Sequence, residues 1–224
     1  MNDAIHRYRL TFGKRGAARY IGHLDLQLSF ERLLTRAQVA LAYRGGFKKR
    51  PRIQFAAPLP LGFIGEAELV DIWLRQAPEP SALLNVLQNA APPDLPLCRV
   101  EPIALRDPGL SASVIAADYR VELAEQVGDL SSRLAELLAA NELLRTRRNK
   151  PYDLRPLIED CSYQRNQGAL ALRLGLRPAR TGRPEEVLDA LGLDPLEQRI
   201  IRCALVLDQR AEPAPQQAPE SGPI

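Results

Sequence analysis

Apolar residues along this chain switch between a two-residue and a helical period in a fixed order, and that order limits the fold more than any other feature. His6 to Phe12 alternates, with Tyr8, Leu10 and Phe12 on one side and Arg7, Arg9 and Thr11 on the other, which predicts a strand with one wet, basic face. From His23 to Ala37 the residues Leu26, Phe30, Leu33, Leu34 and Ala37 recur at helical spacing. Asp25 falls in the first turn of that helix, where the helix dipole favours an anion. Val39 to Tyr43 then leads to a second strand over Arg52 to Ala57, and Glu66 to Leu74 gives a third. Pro80 to Ala90 carries Leu83, Leu84 and Leu87 at helical spacing, and Leu97 to Leu105 is a fourth strand.

After the loop Arg106-Asp-Pro-Gly109 the order begins again. A strand at Ala117 to Leu123 and a helix at Leu130 to Ala140 precede segments at Leu143 to Arg148 and Tyr152 to Tyr163. A strand at Ala169 to Leu176, a helix at Pro184 to Leu191 and a strand at Arg199 to Leu207 complete it. Thr181 to Glu186 is a helix start with proline in the first turn and acids beside it. The expected fold is therefore α+β: tandem ferredoxin-like halves, βαββαβ twice, with antiparallel sheets. We place the first half at 1–107 and the second at 108–208, and residues 209–224, rich in Pro, Ala, Gln and Glu, are predicted to be disordered.

Charge singles out one stretch. The formal net charge is only +3, but Arg7, Arg9, Lys14, Arg15, Arg19, Arg32, Arg36, Arg44, Lys48, Lys49, Arg50 and Arg52 crowd the stretch from Arg7 to Arg52, opposed there only by Asp25 and Glu31. Within it, Tyr43 to Gly62 opens on the turn pair Gly45-Gly46 and passes through Phe47, Lys48, Lys49, Arg50 and Arg52 with no acid among them. Such cations could grip successive phosphates while Tyr43 and Phe47 offer faces for stacked bases. The same residues also suit a solvated hairpin whose lysines protect a sheet edge. Arg145, Arg147, Arg148 and Lys150, followed by Arg155, form a second basic edge at the equivalent place in the second half. Together the two edges either frame a channel or are two solvated turns.

No segment has the order of a signal peptide and no apolar run approaches the ~18 to 20 residues of a membrane span, so a cytoplasmic protein is expected. Cys98, Cys161 and Cys203 are widely spaced and odd in number, which indicates neither a disulfide framework nor a metal knuckle. An iron–sulfur cluster needs closely spaced thiolates, so any cluster belongs to a partner.

Several short motifs form a recognisable set: Tyr20-Ile-Gly-His23-Leu-Asp25, a helix closing on an alanine, Leu41-Ala-Tyr43, Gly46-Phe47, Pro51-Arg-Ile53, Ala57-Pro-Leu-Pro-Leu-Gly62 and Glu66-Ala-Glu68. The set resembles the radical-SAM-linked protein family, a bacterial domain of unassigned function found beside, or fused behind, a radical SAM protein. The likeness is dense from Arg7 to Leu74. It implies a radical SAM protein as partner, with the iron–sulfur cluster and SAM on that partner and no cofactor in this chain. Gly22 stands where the family tends to have serine, and Lys48, Lys49, Arg50, Pro51 and Arg52 replace its usual asparagine, proline, histidine, proline and lysine. If that family histidine were catalytic, this chain would lack it. Its greater cationic character favours binding over proton transfer.

The expected function is a noncatalytic RNA-binding accessory module working with the radical SAM partner. Its candidate nucleic-acid residues are Arg19, His23, Tyr43, Phe47, Lys48, Lys49, Arg50, Arg52, Arg147 and Arg148. One alternative is a protein–protein module that binds the partner without RNA. A second is a metal-independent endoribonuclease, akin in architecture to the enzymes that process CRISPR repeats, with His23 as its single catalytic candidate. His23 either donates to phosphate or acts as a general acid, or it bonds a loop carbonyl. Trp73 and Phe55 are expected in the core.

Overall fold

The computed structural model describes residues 4–45, 49–178 and 180–208. In chain order the first half contains β1 (His6–Lys14), α1 (His23–Arg36), β2 (Tyr43–Arg44), β3 (Arg50–Pro51), β4 (Ile53–Phe55), β5 (Ile64–Leu74), α2 (Pro80–Ala90) and β6 (Leu97–Ile103). Next come α3 (Leu110–Ser113), β7 (Val114–Glu122), α4 (Leu130–Ala139), β8 (Leu144–Arg147), β9 (Lys150–Asp153) and β10 (Ile158–Gln164). Last are β11 (Ala169–Arg177), β12 (Arg180–Thr181), α5 (Pro184–Ala190) and β13 (Arg199–Leu207).

The chain is a mixed α+β protein built on one large, mostly antiparallel sheet of nine strands, ordered β10-β11-β7-β13-β5-β1-β6, with β4 also on β5 and β12 on β11. The separate antiparallel sheets expected from the sequence are thus fused. The joint is small and parallel, Ile201 opposite Ile64 and Arg202 opposite Gly65. It exists because β4 covers only Val70 to Ile72 of β5, which leaves the Ile64 end of the same edge free for β13.

The two larger apolar cores among the described residues follow from the two periods. In the first half, Tyr8, Leu10 and Phe12 of β1 meet Leu26, Phe30, Leu33 and Leu34 of α1 and Leu83 and Leu87 of α2. In the second, Tyr119 and Val121 of β7 meet Leu130, Leu134 and Leu137 of α4 and Val187 and Leu188 of α5. Proline opens α2 and α5, where its missing N–H costs no hydrogen bond. The connection after β4 crosses between the halves: Leu59 and Phe63 insert into the second core, and the Gly62 amide donates to the Arg19 carbonyl at 2.9 Å. Gly62 has φ +84, a conformation that favours glycine.

Two further expectations change. The other face of β1 is not wet: Arg7 is buried and Asp71 accepts from its Nε at 2.8 Å, because a buried carboxylate stands beside it and the 107–108 backbone covers it. Tyr152 to Tyr163 is also not one segment. Asp153 Oδ1 accepts from the amides of Leu143 and Arg155, and a 3-10 turn at Arg155–Leu157 containing Pro156 separates β9 from β10. Residues 209–224, expected to be disordered, lie outside the described residues. Among the described residues no helix is long and apolar enough to cross a membrane.

Candidate nucleic-acid interface

The basic stretch begins as a hairpin. Ala42 is buried and anchored by donation from its amide to the Trp73 carbonyl at 2.8 Å, after which the chain leaves the sheet as β2 and returns as β3, with Tyr43 opposite Pro51 and Arg44 opposite Arg50. Tyr43, Arg44, Lys49 and Arg50 are all exposed. Among the described residues Arg44, Lys49 and Arg50 form no ion pair. Phe47 and Lys48, two of the expected contact residues, lie outside the described residues.

Arg52 plays a different part from its neighbours. Its amide donates to the Ala42 carbonyl at 2.8 Å and its carbonyl accepts from Trp73 at 3.2 Å, so its backbone is held on both sides. Its guanidinium lies over the buried Trp73 ring, 4.3 Å from the centroid, with Arg7 also over that ring at 5.4 Å. Burial, then Arg44, then Arg7 pull the Arg52 guanidinium below its ordinary range. Cations are therefore crowded at the root of the hairpin. The carboxylate at this root, Asp71, is already shared between Arg7 and Arg9, which approach it to 2.5 and 2.8 Å.

The other expected residues occupy separate elements. His23 opens α1, exposed, with its ring edge-on to Phe55 at 5.4 Å between centroids. No hydrogen-bonded acid or base accompanies it among the described residues, so the geometry of a general acid–base pair is not assembled there. Phe55 belongs to an aromatic cluster with Phe12 and Phe30. Arg19 lies in a 3-10 turn, Gly16–Tyr20, and stacks on Tyr20 at 4.6 Å.

In the second half, β8 and β9 form the corresponding hairpin. Its Arg147 is engaged inward: it donates to Glu186 and to the Thr181 carbonyl, and lies 4.7 Å over the Tyr152 ring. Burial, then the hydrogen bond to Glu186, push the Tyr152 phenol up to about 12. Arg155 caps α4 by donating to the Leu138 carbonyl at 2.9 Å. Arg148 and Lys150 remain exposed, Arg148 in a left-handed turn with φ +51. The two basic edges are accordingly unequal. Among the described residues the first keeps Arg44, Lys49 and Arg50 out of any ion pair, and the second has spent its best-placed arginine on Glu186.

Sequence reasoning counted Arg44 among the regional cations but left it out of the candidate contact residues, although the spacing of Arg44 and Arg50 about a glycine turn was the signal. Among the described residues no group of three His, Cys, Asp or Glu could hold a metal ion. A family model described as uncharacterized protein conserved in bacteria (DUF2344) matches residues 7–184. No curated protein matches the chain.

Proposed function

The chain belongs to this uncharacterized bacterial family, and we propose that it is a noncatalytic RNA-binding accessory module that presents a structured RNA to a radical SAM partner. What carries the reading is the first hairpin, where Arg44, Lys49 and Arg50 stand exposed and unpaired among the described residues beside the exposed Tyr43. Unmet positive charge on an exposed turn attracts a polyanion, and an exposed ring beside it can stack a base. Support for the RNA class also comes from the strand order. Reading β6-β1-β5-β4 and β13-β7-β11-β10 as two ferredoxin-like units gives an architecture shared with RNA-handling proteins, which is an argument by analogy. The radical SAM partner rests on the motif set from Tyr20 to Glu68.

Binding of the full chain to total cellular RNA across a salt series tests the reading, beside an Arg44→Ala, Lys49→Ala, Arg50→Ala variant. The expected result is binding that weakens steeply with salt, with a slope reduced by ~2 in the variant if these cations each displace a counterion on a single strand. Weak binding shared by both proteins would overturn it and favour a protein-only interface.

A further inference from the structure

A second feature lies away from the hairpin. Between the Gly16–Tyr20 turn, the start of β6 and the joint of β5 with β13 runs an open cleft of about 820 Å3, lined by Arg15, Arg19, Tyr20, Glu66, Cys98 and Arg199 among others. That volume is in the range of small-ligand sites, roughly 300 to 1,000 Å3. We propose that this cleft binds a nucleoside phosphate, with Arg15 and Arg199 meeting the phosphate and Tyr20 stacking on the base.

Charge is the first ground. Three arginines line the cleft against one acid, and that acid, Glu66, is already met by Arg120 at 2.7 Å. Arg15 has no ion pair among the described residues, and Arg199 is held at its rim by Glu122 at 3.1 Å while keeping 59% of its side chain exposed. A second ground is an unmet donor in the same wall: Arg19 Nε is buried without a hydrogen-bond acceptor among the described residues, and a turn of its side chain toward an anion in the cleft would satisfy it. The third is the ring. Tyr20 is 61% exposed although the Arg19 guanidinium covers part of it, so a face remains on which a base can stack.

The wall of the cleft is held in shape from behind by Lys14 and Asp94, neither of which lines it. Lys14 is buried and its Nζ donates to the carbonyls of Ile21 and Arg19, at 3.0 and 3.4 Å, which ties the turn down from below. Asp94 Oδ2 accepts from the Ala17 amide at 2.8 Å. Gly16, at φ +53, has no room for a side chain, since a Cβ there would come within 2.3 Å of Asp94 Oδ1.

A nucleoside phosphate can reach this cleft as a free nucleotide or as the end of an RNA chain, and the site does not depend on the hairpin reading. Calorimetric titration of the full chain uses adenosine, guanosine, cytidine and uridine 5′-monophosphates, and inorganic phosphate alone. At least one nucleotide is expected to saturate the cleft and to bind at least ~10-fold tighter than inorganic phosphate, with Arg15→Ala abolishing the heat. Tyr20→Ala is expected to weaken binding roughly 5- to 150-fold, the span of one base–aromatic stack, while Tyr20→Phe retains it. Both positions are exposed, and an unchanged melting temperature checks that the variants fold. No saturation, inorganic phosphate binding as tightly as the nucleotides, or unchanged titrations in Arg15→Ala and Tyr20→Ala would each overturn the proposal. The source is then read in the hairpin variant, where a short RNA with a 5′-phosphate outcompeting its free nucleotide places the ligand at a chain end, and the reverse order identifies a free nucleotide. Should the hairpin variant keep full RNA binding, the RNA reading fails and the cleft stands.

Discussion

Arg202 of β13 and Glu68 of β5 lie 134 positions apart in sequence and meet across the joint between the two halves, the guanidinium Nε 2.8 Å from Oε1, both buried. The remaining donors of Arg202 reach the Ala57 and Pro58 carbonyls, both at 3.1 Å. One side chain thus ties β13 to β5 and to the connection that enters the second core. Lys14 shares this environment, and burial lowers its pKa although Glu68 opposes the shift.

Removing one member of this pair leaves the other charged and dry. Glu68→Ala is expected to destabilise the chain by ~3 to 5 kcal/mol in urea unfolding. Replacing both, as Glu68→Leu with Arg202→Met, should cost much less, because two apolar groups need no partner. Equal losses in the single and double variants would show that packing rather than charge holds the joint.

Arg52 and its exposed neighbours should separate cleanly. Arg52→Ala loses the Trp73 stack and is expected to cost ~1 to 2 kcal/mol. The Arg44→Ala, Lys49→Ala, Arg50→Ala variant touches no ion pair among the described residues and should keep its stability within ~0.5 kcal/mol per site while losing RNA affinity. Chemical denaturation and a filter-binding titration on the same preparations provide the comparison.

Arg147 is expected to behave as a structural residue. It is three-quarters buried against Glu186, so Arg147→Ala should cost ~1 to 3 kcal/mol, mostly by leaving that carboxylate with the Tyr152 hydroxyl but no cation, and leave RNA affinity within twofold (a difference of ~0.4 kcal/mol). A large affinity loss without a change in melting temperature would return Arg147 to the binding surface.

Thiol labelling should distinguish the cysteines. Burial, with Asp160 second, pushes the Cys161 thiol up to about 12, and burial, with Glu66 second, pushes Cys203 up to about 11. Cys98 is exposed. Iodoacetamide at pH 8 is therefore expected to modify Cys98 alone, as read by peptide mass spectrometry. A folded thiol held above its unfolded pKa stabilises the chain fully below that unfolded value and progressively less as pH rises toward the folded one. Cys161 should accordingly cost the fold stability between about pH 9 and 12, a loss that Cys161→Ala would reduce.

The helices other than the four-residue α3 were legible because each rests on local spacing: α2 starts and ends where Pro80 and Ala90 predict, and α5 opens at the expected Pro184. Strand β13 likewise spans the expected Arg199–Leu207. What local pattern does not encode is pairing across the fold. The fused sheet depends on a two-residue contact between strands far apart in sequence, and no alternation announces which edge will be vacant. The same limit hid the fate of Arg147, whose partner Glu186 is 39 positions away, and that of Arg7, which alternation alone assigned to water. Lys14 and Arg15 are adjacent cations in the sequence, yet one points beneath the turn and the other lines its cleft. At the hairpin, by contrast, consecutive cations declare themselves because they need no distant partner.

The parallel joint also gives the protein a temporal order. Synthesis proceeds from β5 to β13, so the Ile64 end of β5 leaves the ribosome long before the strand that will pair with it. During that interval the nascent first half carries an open backbone edge in what becomes the middle of the sheet, where another chain could add a strand. Glu68 is equally without its arginine until residue 202 is made. Maturation of this protein is consequently a closing step, in which the late strand covers an open edge and brings Glu68 its arginine in one event.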